Sequence, residues 1–171
     1  MPFSMYSASI PVFQNTLRNL SHILDKAVAN AEARKFDPSV LASYRLAPDM
    51  LPFTKQIQIA CDAAKLAVAR IGGIDAPKFE DNETTFPELK ARIQKTLDFL
   101  ATVPASALEG KEGREVTIPV GRDKTRTMTG EGYLTTWALP NFFFHVTTAY
   151  AILRHNGVDL GKTDYLAGAQ R

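Results

Sequence analysis

A long apolar helix near the end of the chain constrains the fold more than any other segment. Residues 140–157 read PNFFFHVTTAYAILRHNG, an apolar run with one histidine, His145, that ends at Asn156-Gly157. A helix that is apolar on nearly every side belongs in the interior of a helical protein. A lone imidazole there is either a hydrogen-bonded core group or part of a ligand site. The segment therefore predicts architecture more directly than activity.

Three further segments show helical periodicity. Apolar residues recur at steps of three or four over residues 10–28, 52–71 and 86–100. The spacing of Thr85 and Glu88 predicts a capping box at the start of the third segment, because each side chain can accept from the other's backbone N–H. These segments are expected to form the first three long helices.

A β-hairpin and a fourth long helix are predicted to follow. EVTIPV and TRTMT alternate in polarity around GRDK within residues 115–129, a pattern typical of two paired strands. The fourth helix is expected from about Gly130 to His155, with a bend at Pro140. We therefore predict one all-α domain over residues 1–171, a four-helix bundle with a small β-hairpin inserted between helices 3 and 4.

The charge and cysteine content exclude several classes of protein. Twenty basic and 18 acidic residues give a net charge of +2, which is too small to indicate a nucleic-acid partner. No apolar run approaches the ~20 residues that span a bilayer, so we expect no membrane partner and a cytoplasmic location. The only cysteine, Cys61, rules out an internal disulfide and is interpreted as a small buried hydrophobe. The acidic pair Glu80 and Asp81 is interpreted as solvated.

Four polar residues are candidates for a ligand-binding pocket. Asn141 and His145 lie four residues apart, on one face of the fourth helix. Gln58 and Asp62 have the same spacing on the second. Because buried polar groups need hydrogen-bond partners, we expect Gln58, Asp62, Asn141 and His145 to meet in or near the interior. They form either a structural hydrogen-bond network or a pocket for a ligand or metal.

Other chemical signatures are absent from the sequence. It contains no Gly-rich phosphate loop after a strand, no GxSxG elbow and no HExxH motif. His145 and His155 are separated by about 15 Å along one helix and cannot share a metal. Tyr133 and Trp137 are interpreted as core or interface residues.

Three stretches of the chain resemble a known family. ALPNFFFHVTTAYAILRHNGVDLGKTDYL, LAPDMLPFTKQIQIACDAAK and FSMYSASIPVF are similar to an uncharacterised bacterial domain-of-unknown-function family. That family is grouped with the DinB/YfiT-like four-helix-bundle proteins. The resemblance covers essentially the whole chain.

The resemblance also implies where a metal site would lie. Metal-binding DinB-like proteins use a histidine on the second helix and a His-x-x-x-His pair on the fourth, ending about a dozen residues before a glycine. His145, twelve residues before Gly157, matches the second of that pair. Asn141 then occupies the first position, and Gln58 stands near the second-helix position. Since amides are weak ligands for zinc, nickel or iron, the resemblance implies a degenerate metal site.

Two functions follow from these observations. The first is a small-ligand-binding or interaction protein without a bound metal or other cofactor. The alternative is a metal-dependent enzyme of the DinB type, such as a low-molecular-weight-thiol S-transferase, with nickel or zinc held by an altered ligand set around His145. A solid, purely structural core at this position is a third interpretation. Homodimerisation is expected because relatives of this fold often pair through helices.

Overall fold

The computed structural model describes residues 4–168, most of which are helical. The helices and strands are α1 (Ile10–Ala33), α2 (Ser39–Ser43), α3 (Phe53–Gly72), α4 (Phe86–Thr102), β1 (Glu115–Pro119), β2 (Thr125–Thr129), α5 (Gly130–Tyr133), α6 (Leu139–His155) and α7 (Lys162–Ala167). A π-helical turn over Leu134–Ala138 joins α5 directly to α6. The prediction of a mainly helical chain with one two-stranded antiparallel sheet is confirmed.

The four long helices enclose the core. α3 packs against both α4 and α6, and α1 packs against the same two helices from the other side. The ring centroids of Phe13 on α1 and Phe142 on α6 lie 4.9 Å apart at an interplanar angle of 81°, the edge-to-face geometry that aromatic pairs prefer. Core side chains with no exposed surface include Phe13, Leu17, Leu20, Phe53, Ile57, Leu89 and Phe142.

Local sequence signals set the ends of the helices. Pro11 lies in the first turn of α1, where its missing N–H costs no hydrogen bond. α3 ends at Gly73, whose φ of 65° is in the left-handed region that favours glycine. At the start of α4, Thr85 and Glu88 form the predicted capping box. The backbone N–H groups bonded to its carboxylate lower the pKa of Glu88 to about 2.

A π turn lies just before Pro140, the residue at which the sequence predicts a bend. Proline has no amide hydrogen, so Pro140 cannot bond the carbonyl four residues earlier. The N–H of Leu139 instead bonds the carbonyl of Leu134, five residues earlier. The helix therefore continues through Pro140 although this residue has no N–H to donate. The π turn also changes which side chains share a face of the helix.

The hairpin packs on the helices through one face. Val116 and Ile118 are buried while the residues between and beside them are exposed. β2 runs directly into α5, whose first turn is capped by the Thr129 hydroxyl. A side chain at Gly130 would lie 2.3 Å from the carbonyl oxygen of Lys111, so this close approach needs glycine.

The last described helix closes one side of the molecule. α7 packs along α1, where the Asn19 side chain donates to the carbonyl of Tyr165 at 3.0 Å. The buried carboxylate of Asp164 forms an ion pair with Lys26 at 3.0 Å, and Nε2 of His22 lies 3.6 Å from its other oxygen. Within residues 4–168, every helix is too short or too polar to cross a bilayer.

Candidate functional site

His145 is buried on α6 and is held by a residue of α3. Its Nδ1 atom lies 2.7 Å from Oε1 of Gln56, and Nε2 of Gln56 donates to the carbonyl of Leu51 at 2.9 Å. Because the amide nitrogen of Gln56 donates to Leu51, its oxygen accepts, and the ring hydrogen must lie on Nδ1. The lone pair then resides on Nε2, to which no residue in the described range 4–168 donates.

The surroundings of His145 favour the neutral ring. Burial lowers its pKa from the ordinary value of 6.5, because removing a charged group from water is costly. The ring of Phe144 lies edge-on to it at 5.2 Å. Near pH 7 the imidazole therefore presents a lone pair and no charge.

The partner of His145 is Gln56, which corrects the expectation that Gln58 would meet it. Gln56 and Gln58 are two residues apart, which corresponds to about 200° of rotation around a helix axis. Their amides therefore point to opposite sides of α3. Both are buried because α6 covers one side of α3 and α4 the other. Gln58 donates instead to the carboxylate of Glu83 at 2.9 Å.

A buried arginine organises the α4 side of α3. The Arg92 side chain is fully buried and forms ion pairs with Asp62, Asp81 and Glu83 at 3.0–3.1 Å. We call these four residues the Arg92 cluster. Asp81 and Glu83 belong to the connection before α4, so the cluster fixes that connection to the helices. Asp81 was predicted to be solvated and is exposed, and it also pairs with Arg92.

Asp62 is engaged by two cations. Besides Arg92, it pairs with Lys65 at 2.8 Å, and the Lys65 ammonium lies 4.0 Å from the centroid of the Phe79 ring. Its negative charge is therefore balanced within the protein. Asp62 does not contact His145, so the structure separates these two predicted site residues.

Asp62 and Asn141 do lie along one surface cleft. The cleft has a volume of about 170 Å³ and runs between α3 and the continuous helix α5–α6. We call it the Trp137 cleft. Neither Gln58 nor His145 lines it. The lining residues are Ile59, Asp62, Ala63, Leu66, Arg70, Tyr133, Trp137, Ala138 and Asn141.

The π turn helps to keep one row of side chains on the cleft. Tyr133, Trp137 and Asn141 recur at steps of four. In a regular α-helix each such step drifts about 40° around the axis, and a π turn, with more residues per turn, reduces the drift. Tyr133 is buried in the core and Trp137 packs against it, as predicted for core or interface residues, and both also line the cleft. Their spacing from Asn141 was the signal that could have joined them to the site.

One end of the Trp137 cleft is electropositive. Nη1 of Arg70 donates to the hydroxyl of Tyr133 at 3.1 Å. Arg126 reaches from β2 to lie 5.8 Å from the ring centroid of Trp137. Neither arginine pairs with a carboxylate within the range 4–168. The lining of the cleft is therefore mostly apolar, and at one end it includes the Arg70 guanidinium, which has no counter-ion among the described residues.

The residues around His145 do not fit a tight transition-metal site. His145 supplies one imidazole, Gln56 uses its amide for two protein hydrogen bonds, and Asn141 could add only a second amide. Zinc and nickel prefer imidazole, thiolate or carboxylate ligands. Over residues 4–168, no three His, Cys, Asp or Glu side chains are grouped to hold a metal ion.

Cys61 is buried in the core, as its sequence context predicted. Burial raises the pKa of its thiol to about 12, although the neighbouring Thr96 hydroxyl and Arg92 act in the opposite direction. A thiolate is the reactive form of cysteine. Cys61 is therefore unsuited to act as a nucleophile.

Comparisons with known proteins agree with this architecture. Residues 5–166 match a family model described as Domain of unknown function (DUF1993). The chain is also similar to a solved structure, the crystal structure of a DinB family member protein from Shewanella denitrificans. The two are 43% identical with a TM-score of 0.87, over 94% of this chain and 90% of that chain. A comparison with curated proteins gave no match.

Proposed function

This chain belongs to the DUF1993 family, an uncharacterised domain grouped with DinB-like proteins, and we propose that it binds a small organic molecule in the Trp137 cleft. The degenerate histidine position and the cleft lie on the same pair of packed elements, α3 and α6. Binding at the cleft needs no metal, which suits the weak donor set around His145.

The convergence of polar groups on a concave, mostly apolar surface carries this proposal. Arg70, Tyr133 and Asn141 line the same cleft as the indole of Trp137. Ligand sites typically combine an apolar lining with a few placed polar groups. The adjacent π turn adds support, since such turns are frequent at functional sites.

A larger cavity elsewhere has less to offer a ligand. It has a volume of about 340 Å³ and lies where the ends of α1, α2 and α4 meet, with Asp37 as its one charged lining residue. Hydrogen bonds from Ser39 lower the pKa of the Asp37 carboxyl. This carboxylate accepts the backbone N–H of Ser39 at the start of α2 at 2.8 Å, so it already has a structural role.

The proposal is tested with three probes of equal size: cyclohexanecarboxylate, cyclohexylmethanol and cyclohexylmethylamine. Trp137 is the only tryptophan of the chain, so its fluorescence and indole N–H resonance report directly on the cleft. Saturable changes with at least one probe are expected. If none of the three perturbs Trp137 at millimolar concentration, the proposal is wrong.

Matched variants locate the binding. Ala63→Phe places a ring in the cleft and should abolish the response, whereas Ala101→Phe adds the same ring at an exposed position on α4. Asn141→Leu provides a second cleft variant of similar side-chain size. Binding that survives both cleft variants, in proteins with unchanged circular dichroism, would place the site elsewhere.

We also propose that the four long helices form a four-helix bundle of the DinB type, with the hairpin between the third and fourth. The ring of contacts α1–α4–α3–α6–α1 supports this arrangement. The likeness to the Shewanella denitrificans structure supports it too. An experimental structure in which α1 did not contact both α4 and α6, or in which the hairpin packed away from α5, would contradict this arrangement.

We also propose that the chain forms a homodimer. Large apolar side chains are exposed close to His145, among them Leu51 and Phe144, which are 47% and 55% exposed. Leu51 accepts the hydrogen bond of Gln56, and Phe144 contacts the His145 ring. Burial of these side chains between two copies would be favourable. Light scattering at micromolar concentration tests this, and a monomeric mass would contradict it.

A further inference from the structure

We propose that the ligand of the Trp137 cleft carries a carboxylate, bound between Arg70 and Tyr133, with a compact apolar body against Trp137. This inference rests on the proposed function and names the class of molecule that the cleft selects. It follows from the hydrogen bonds, charges and dimensions of the cleft.

Arg70 is a partly buried cation without an anionic partner among the described residues. Its guanidinium has five N–H donors, of which one bonds the neutral hydroxyl of Tyr133. Its ring contact with Tyr133, at 6.0 Å to the centroid, supplies no countercharge. Because most of its donors bond no protein acceptor and its charge has no counter-ion among residues 4–168, Arg70 has unused capacity for an anion. A carboxylate matches the planar fork of the guanidinium.

The hydroxyl of Tyr133 is positioned to share that anion. Tyr133 is 2% exposed, and its oxygen accepts from Arg70. The hydroxyl hydrogen has no acceptor among residues 4–168. A ligand oxygen beside Arg70 would supply one. Two donors from different helices would then hold one carboxylate.

Trp137 and the cleft volume limit the rest of the ligand. The indole forms an apolar wall, and Arg126 lies over this ring from the hairpin. A cavity of about 150 Å³ accommodates a benzene molecule, so a cleft of about 170 Å³ suits one six-membered ring and its carboxylate. The side-chain amide of Asn141 can bond a further polar group.

The opposite end of the cleft orients the molecule. Asp62 and Arg70 are eight residues apart on α3, which places them about 12 Å apart along the axis. Lys65 and Arg92 balance the charge of Asp62. Arg70 is therefore the charged lining residue without a counter-ion among residues 4–168, and its separation from Asp62 exceeds the Debye length of about 8 Å at physiological salt. The anionic group is therefore directed to Arg70.

The same three cyclohexyl probes test the charge preference. Cyclohexanecarboxylate should bind about tenfold or more tightly than cyclohexylmethanol, since hydrogen bonds to charged groups are the stronger ones. Cyclohexylmethylamine should bind most weakly. Equal affinity for acid and alcohol would overturn the carboxylate assignment while leaving the proposed function intact. If no probe binds, both proposals are overturned.

Variants at the anionic end complete the test. Arg70→Met should weaken binding of the acid about tenfold or more and leave that of the alcohol nearly unchanged. Tyr133→Phe should have a smaller effect in the same direction. Arg18→Met, at an exposed position on α1, is the matched control. An unchanged acid preference in Arg70→Met, or displacement of the acid by inorganic phosphate at equal concentration, would refute the inference.

Discussion

The Nδ1 atom of His145 lies 2.7 Å from Oε1 of Gln56, in a hydrogen bond that joins α6 to α3. The resemblance to metal-binding DinB-like proteins implies a histidine on the second long helix. Here an amide on that helix bonds the imidazole directly. In metal sites a ligating histidine commonly donates its other ring N–H to a protein oxygen, as Nδ1 of His145 does to Gln56, but no companion imidazole stands beside this ring among residues 4–168.

Removal of the Gln56 side chain should destabilise the protein. Gln56→Ala leaves the buried Nδ1–H of His145 and the Leu51 carbonyl without partners, and an unsatisfied buried polar group costs about 1–3 kcal/mol. Urea denaturation measures the change in the free energy of unfolding. Gln94→Ala, at an exposed site on α4, is the control and should change stability by less than about 0.5 kcal/mol. Equal effects of the two substitutions would contradict the role of Gln56.

Burial of His145 should make stability depend on pH. Its folded-state pKa lies below the ordinary value of 6.5, so the unfolded chain binds the proton more readily. The stabilising contribution is complete above about pH 6.5 and decreases as the pH falls toward the folded-state pKa. The free energy of unfolding should decrease less between about pH 7.5 and pH 5.5 in His145→Gln than in the parent protein. An NMR titration midpoint above 6.5 for His145 would disprove the expected direction.

Replacement of Arg92 should be among the most damaging single changes. Arg92→Met removes the cation that Asp62, Asp81 and Glu83 share. Breaking a fully buried ion pair costs about 3–5 kcal/mol, and the loss here should lie toward the lower end because Asp62 and Asp81 remain partly exposed to water. Arg92→Lys should recover only part of the loss, because an ammonium lacks the guanidinium fork. Thermal unfolding compares both with Arg18→Met. A melting temperature for Arg92→Met close to that of the control would refute the prediction.

Cys61 should resist thiol reagents in the folded protein. Its pKa is raised to about 12 by burial, so almost no thiolate is present at about pH 8, and the sulfur is also shielded from reagent. Labelling with a chromogenic disulfide should be slow in buffer and fast in denaturant. Rapid stoichiometric labelling of native protein would show that the thiol is accessible.

The metal content of the purified protein tests the alternative enzyme. With one imidazole and two amides as donors, we expect less than stoichiometric nickel or zinc, and no change of melting temperature with a chelator. Elemental analysis measures the nickel and zinc content of the parent protein and of His145→Ala. Stoichiometric metal that disappears in His145→Ala would establish the metal-dependent alternative.

Helical periodicity and end signals predicted the local structure well. The apolar repeat from Ile10 onward, the Thr85–Glu88 box and the alternation of the hairpin each depend on residues that are close in sequence. The corresponding elements occur within a few residues of their predicted positions. Interactions between residues close in sequence determine these helices, caps and strands, so their positions can be predicted from the sequence pattern.

The partners of the polar residues could not be predicted in the same way. Gln56 and Gln58 are chemically alike, and the choice between them depends on how α3 is rotated between α4 and α6. The Arg92 cluster depends on a long connection folding back to deliver Asp81 and Glu83. Such contacts are tertiary, and periodicity within one helix does not specify them.

The π turn over Leu134–Ala138 makes the cleft sensitive to chain length. Deleting a single amino acid there would convert the turn to ordinary α-helix and rotate the preceding segment by about 100° relative to α6. Tyr133 would swing away from Arg70 while Asn141 kept its place. Because Tyr133 and Leu134 are also buried in the core, the length of this short stretch couples ligand recognition to the packing of the hydrophobic interior.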